Sequence, residues 1–442
     1  MKVKLSEHFT YKKLLIFTLP SILMMIFTSI YGVVDGYFIS NFAGEIPFSA
    51  INFIMPVILV LGSVGFMFGS GGSALIAKTL GEGDEKKANQ LFSMFVYTIF
   101  IAGVVLSVLG IIFVRPVAEM LGASDNMMEY CVVYARIILA VLPLNMLQYA
   151  FQTFFSTAEK PTLGFVVTLI AGFTNIILDA LFVAVFHWGV EGAALATAIS
   201  QAVGGIIPLI YFFRPNKSIL RLGKTNLDMR AMRKAMSNGL SEFLSNVSMS
   251  IVGMLYNAQL MKYAGEHGVS AYGVLMYVGF IFVAVFIGYS MGTAPIIGFH
   301  YGAENTAEVK NLLKKSLIAI GVTSVGMVLL ALGLAYPLSM LFVGYNAALV
   351  EMTIRAFYFY SFCFLFAGLG IFGSSFFTAL NDGLVSALIS FLRTLVFQVI
   401  AVLIFPLIWE LDGIWISAVF ADFASAIVAV ICLIANRKKY KY

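Results

Sequence analysis

Charge is what this chain lacks most. Only 11% of its 442 residues are Asp, Glu, Lys or Arg, while 61% are hydrophobic; average soluble proteins carry roughly 25% charged residues. A soluble fold must keep polar residues at its water boundary and splits into several cores above about 250–300 residues. The composition therefore excludes a soluble enzyme and a nucleic-acid binder, and makes a lipid bilayer the solvent for most of the chain. Cysteine is scarce too: Cys131, Cys363 and Cys432 are too scattered for a disulfide framework and form no C-x-x-C pair. The four histidines, His8, His187, His267 and His300, show no metal-binding spacing, so neither a metal centre nor a cofactor is expected. Gly223-Lys224-Thr225 resembles the end of a phosphate loop, but Ser218 stands where that motif needs Gly and no strand precedes it, which argues against ATP hydrolysis.

What is present is a series of long apolar runs. A helix needs about 20 apolar residues to cross a bilayer, and the chain contains twelve such spans: Leu14–Asn41, Asn52–Ala77, Asn89–Val114, Cys131–Ser156, Thr162–Phe186, Gly192–Phe213, Met236–Met261, Ser270–Tyr301, Leu312–Tyr336, Met352–Phe377, Leu384–Trp409 and Gly413–Asn436. A membrane barrel would show roughly 10-residue alternating segments instead. The amino terminus, alternate loops and the carboxyl terminus hold 22 of the 27 basic residues, which predicts that both termini are cytoplasmic. Lys2, Lys4, Lys12 and Lys13 precede a run too long for a signal-peptide core, so the first span is expected to be retained.

The basic stretch after Phe213 divides the spans six and six. Residues 1–213 are expected to form one six-helix lobe, 214–235 a cytoplasmic linker and 236–442 a second lobe. The halves repeat at an offset of 221 residues: Ala43-Gly44-Glu45-x-x-x-Ser49-Ala50 returns as Ala264-Gly265-Glu266-x-x-x-Ser270-Ala271, and Gly71, Gly81, Trp188 and Gly192 return as Gly292, Gly302, Trp409 and Gly413. An even number of spans per half makes these parallel repeats about an axis along the membrane normal. Two such bundles facing one cavity are the usual machinery of alternating access. The expected fold is thus an all-α integral membrane protein of twelve transmembrane helices in two pseudo-symmetric six-helix bundles. Pro20, Gly288, Gly292 and Pro295 are candidate bending points.

Asp35, Asp179, Glu242, Arg393 and Asp422 are the ionisable residues well inside the spans. An intramembrane charge costs at least about 2.5–3.5 kcal/mol on insertion scales, so each should face protein or water. Counting at about 1.5 Å per residue puts Asp35 and Asp179 both roughly 10 Å below the outer surface. Asn175 lies one turn before Asp179 on the same face, and Thr197 reaches a similar depth. Burial and a neighbouring carboxylate disfavour ionisation, so at least one of the two aspartates is expected to hold a proton near neutral pH and to act as a switch. The alternative is simple hydrogen bonding between helices. Glu242, near the cytoplasmic end of span seven, could meet an entering cation or pair with Arg233 or Lys234. Arg393 and Asp422, at similar depth and of opposite sign, are expected to form a structural charge pair. Tyr37 and Gln148 are weaker substrate candidates, through a cation–π face and a carboxamide.

Four stretches taken in order carry a family resemblance: Val34-Asp35-Gly36-Tyr37-Phe38-Ile39, Gly81-Glu82-Gly83-Asp84, Asn175-x-x-x-Asp179 and Gly192-Ala193-Ala194-x-Ala196-Thr197. In these the chain resembles the multidrug and toxic compound extrusion transporters, along essentially all twelve spans. The resemblance implies a V-shaped pair of lobes that exports small amphipathic organic cations in exchange for H⁺ or Na⁺. It also implies an amino-lobe ion site at Asp35, Asn175, Asp179 and Thr197, with Na⁺ as the alternative ion at the two aspartates. Gly239-Leu240-Ser241-Glu242-Phe243-Leu244 is similar to one bacterial branch and makes Glu242 a substrate contact. The chain departs from branches with ion-binding acids deep in the carboxyl-terminal lobe, where only Asp422 and the shallow Glu242 are available, and this favours H⁺. A flippase for lipid-linked oligosaccharide shares the general fold and is the alternative; it should show a larger, more basic cavity. The protein is expected to be a monomer in the plasma membrane, with no nucleic-acid partner.

Overall fold

The computed structural model describes residues 3–442, and among these every regular element is helical. Eleven straight or bent apolar segments are long enough to cross a bilayer. One of them, Met229–Gly302, runs for 74 residues, about 110 Å of helix, and therefore makes two crossings. Its break is at Gly265, at φ 60° and ψ −151°. The repeat partner Gly44 turns the chain between spans one and two at φ 100°. Both positions lie in backbone space that L side chains rarely enter, so the repeated Ala-Gly-Glu motif marks the same hinge in each half.

The twelve expected crossings are present, with two kinds of departure. Spans four and ten are not straight. Asp125–Ala140 and Leu142–Thr157 meet at 60°, and Ala347–Tyr360 and Cys363–Ala379 at 49°. In span four the break falls at Val141 (φ −104°, ψ 7°), just before Pro143, whose ring has no N–H for the helix ladder. The linker is also shorter than expected. Helix resumes at Met229, because the Asp228 carboxylate accepts the Arg230 and Ala231 N–H groups and caps the new first turn.

The two lobes share part of their packing: Leu14 and Phe17 of span one belong to a core that is mainly carboxyl-terminal. The amino-terminal core centres on Phe92, Phe151, Phe154 and Phe212, with the Phe92 and Phe212 rings 5.0 Å apart. The carboxyl-terminal lobe uses two clusters, one around Phe286, Phe372 and Phe376 and one around Tyr256, Phe364 and Trp415. On the outside, Ile101, Val105, Val108 and Ile112 of span three and Ile318, Val322, Val325 and Leu329 of span nine are exposed. Each set recurs at helical spacing, forming an apolar stripe suited to acyl chains.

The lobes meet at the end that carries the linker and both termini. There Gly81 packs on the Phe299 carbonyl and Gly302 on that of Lys78; a Cβ would stand 1.9 and 2.0 Å from those oxygens. Since 81 and 302 are repeat partners, and so are 78 and 299, these are one contact made twice about the pseudo-twofold axis. Gly71 against Ala235 and Gly239 against Met67 extend the seal inward. Asn381 crosses it with a hydrogen bond to the Ala74 carbonyl of 3.2 Å. The amino-terminal segment straps the same end. Its Leu5 N–H donates to Glu159 of one lobe, while its Phe9 N–H donates to Glu308 of the other at 2.9 Å.

Candidate functional site

Two polar constellations lie within the apolar body. The first is in the amino-terminal lobe, where Asp35 faces Asp179, Asn175 and Thr197, and Tyr134 of span four reaches the same group. Asp179 and Asn175 are fully buried and Tyr134 is 0% exposed. The Asp35 Oδ1, both Asp179 oxygens, both carboxamide atoms of Asn175, the Thr197 Oγ1 and the Tyr134 hydroxyl are buried without a direct hydrogen bond to any described group. Two carboxylates, a carboxamide and two hydroxyls form a hard-oxygen donor set, suited to a proton or a small hard cation passing through.

The backbone beside this cluster is specialised. A π-helical turn, Ile39–Ala43, follows Asp35 by one turn, and another, Ala180–Val185, begins at the residue after Asp179. Extra-wide turns inside helices occur frequently at functional sites. The cluster is also remote from the seal: Asp35 lies seventeen residues along span one from Thr18, which packs on Gly292, or about 25 Å at helical rise.

The second constellation is a cavity of about 340 Å³ between the lobes. The amino-terminal lobe lends it mainly Met25, Phe66 and small hydroxyl residues; the carboxyl-terminal lobe supplies Glu242, Arg393 and Asp422 together with Tyr256, Gln398 and Asn246. Arg393 and Asp422 do come together, with Nη1 3.7 Å from Oδ1, but they do so in the cavity wall. Glu242 shares that wall with Arg393, while Arg233 and Lys234 are exposed and make no ion pair with it. Two carboxylates against one guanidinium do not make the strongly basic cavity expected of a lipid-linked-sugar flippase.

Asp35, Asn175, Asp179 and Thr197 are thus brought together in the amino-terminal lobe, and Glu242 lines the cavity. Tyr37 and Gln148 do not line the cavity. Tyr37 is 59% exposed, because its position two residues after Asp35 turns it to a different side of span one. Gln148 is buried inside the amino-terminal lobe, where Gly204 gives it room. Sequence reasoning missed Tyr134 and Gln398. A tyrosine in an apolar span reads as packing, and only the helix rotation shows where its hydroxyl ends.

A family model described as MatE matches residues 20–181 and again residues 243–404, once in each repeat. Among curated relatives, the multidrug export protein MepA of Staphylococcus haemolyticus is 29% identical over 317 residues, 72% of this chain and 70% of its own length. MepA of Staphylococcus aureus is 25% identical over 433 residues, 97% of this chain and 94% of its own. Among solved structures, the outward-facing conformation of a multidrug resistance MATE family transporter superposes with TM-score 0.92 at 22% identity, covering 98% of this chain and 97% of that one. A MATE complex with MaL6 gives 0.91 at 22% identity, covering 98% of both chains. At that identity the superpositions speak for the fold.

Proposed function

Because this chain belongs to the MatE family of multidrug and toxic compound extrusion transporters, we propose that it is a secondary active antiporter, exporting small amphipathic organic cations through the central cavity in exchange for H⁺, with Na⁺ the competing assignment. The observation that carries this reading is the convergence of Asp35, Asn175, Asp179 and Thr197 in one lobe, apart from the residues that line the cavity.

The chemistry follows from that separation. Protonating a carboxylate removes its repulsion with the other and turns an acceptor into a donor, so spans one and five change their hydrogen bonding when the cluster loads. The π-helical turns next to both aspartates give those spans local slack to rearrange. Span one carries the change toward Thr18 and the seal, and span five passes it through the same lobe. Glu242 offers the cation its counter-charge. With both termini cytoplasmic in the plasma membrane, the sealed end faces the cytoplasm and the described conformation is the releasing one. A single chain contains both constellations, so the monomer is the functional unit.

The test is transport of a fluorescent organic cation by the purified full chain in liposomes, with pH and Na⁺ gradients imposed separately. Export driven by the pH gradient alone supports the reading. Export driven by Na⁺ alone reassigns the ion. Cation movement that neither gradient accelerates refutes coupled antiport.

A further inference from the structure

The cavity wall contains a group that a carrier of simple cations does not require. Arg393 presents five N–H donors in a fixed plane, its side chain is only 20% exposed, and none of those donors makes a hydrogen bond to any described residue. Asp422 balances its charge with Oδ1 3.7 Å from Nη1, beyond hydrogen-bond distance. Span eleven is built around this side chain. Arg393 lies in the π-helical turn Leu392–Val396, and its Cδ passes over Gly370, where an added Cβ would stand 2.9 Å away. Further along the same helix, Gln398 accepts the Tyr256 hydroxyl at 2.7 Å through Oε1, which leaves its N–H₂ free beside the cavity it lines.

We propose that Arg393, with Gln398, is a carboxylate-binding subsite in the cavity, so that the preferred substrates are zwitterionic amphiphiles whose anionic end docks on the guanidinium while the ammonium end faces Glu242. This rests on the reading of the cavity as the drug site. A planar guanidinium matches a carboxylate through two parallel bonds, which a lysine does not reproduce. A monocation satisfies Glu242 and leaves the guanidinium unbonded beside a like charge; a zwitterion satisfies both.

Tetramethylrhodamine and its methyl ester form a matched pair of probes, zwitterion and monocation, that differ at the carboxylate alone. Binding of each to the detergent-solubilised full chain, read by fluorescence anisotropy, is compared with export from liposomes for wild type, R393Q, R393K and the pair-neutral R393Q/D422N. The last variant guards against misfolding from an unpaired Asp422. The expected result is that the ratio of zwitterion to ester affinity falls about tenfold or more in both glutamine variants, and less in R393K. An unchanged ratio overturns the proposal, as does a wild type that binds the ester and rejects the zwitterion. A wild type that binds and moves neither dye removes the drug-site reading itself, and this subsite with it.

Discussion

Replacing Gly81 or Gly302 with Ala tests whether the glycine seal sets the conformational equilibrium. A Cβ on Gly81 would stand 1.9 Å from the Phe299 carbonyl oxygen, and real Cβ atoms essentially never come within 3.0 Å of another heavy atom. The helices must therefore retreat by about 1.1 Å at that crossing, and backbone rather than a flexible side chain must move. Overpacking of this kind costs typically 1–3 kcal/mol, which shifts a two-state equilibrium by about five- to 150-fold. Spin labels at Glu82→Cys and Glu304→Cys, two exposed positions flanking the seal, placed in a background lacking Cys131, Cys363 and Cys432, report its separation. The short-distance population should fall in G81A and equally in G302A, because the pseudo-twofold axis makes the two contacts equivalent, and export should slow with it. Unchanged distances together with wild-type export in both variants would refute the reasoning.

Three further outcomes follow from other parts of the molecule. D35N and D179N should each abolish gradient-driven export while the protein still elutes as a folded species in detergent; normal coupled transport by both removes the cluster from the mechanism. E242Q should weaken monocation binding on the order of tenfold, the scale of one lost charge-assisted interaction, and equal affinity in both proteins would place the cation elsewhere. Asp382, in the loop before span eleven, accepts hydrogen bonds from Lys439 and the Tyr440 hydroxyl. Burial works to raise its carboxyl, and those two donors outweigh burial and hold it below the ordinary carboxylate range. The stability it adds is present above the unfolded carboxylate pKa and is lost as pH falls through the lowered folded value. D382N should therefore flatten the acid side of the melting profile, and parallel profiles for the two proteins would contradict this.

Much of the site was legible because depth is a linear property of a membrane helix. Counting from the span ends put Asp35 and Asp179 at one level without any knowledge of how the helices turn, and the structure brings the two together. Azimuth is not linear. Tyr37 is two residues from Asp35 yet points elsewhere, and Arg393, expected from the sequence as a structural partner of Asp422, lines the cavity only because of how the neighbouring helices are placed. The π-helical turns beside Asp35, Asp179 and Arg393 compound the difficulty, since each departs from the regular period that a sequence reading must assume.

The sequence by itself determined the solvent, the number of crossings and the repeat, because a bilayer demands fixed lengths of apolar helix and the offset of 221 residues is written in the residues. Tertiary structure alone decided which faces look inward. The seal exists because glycines from different lobes bring two backbones together, and the cavity exists because the carboxyl-terminal lobe turns Glu242, Arg393 and Asp422 to one wall. Those relations depend on helix rotation and on contacts between residues far apart in the chain, such as Gly81 with Phe299, and no local pattern encodes them.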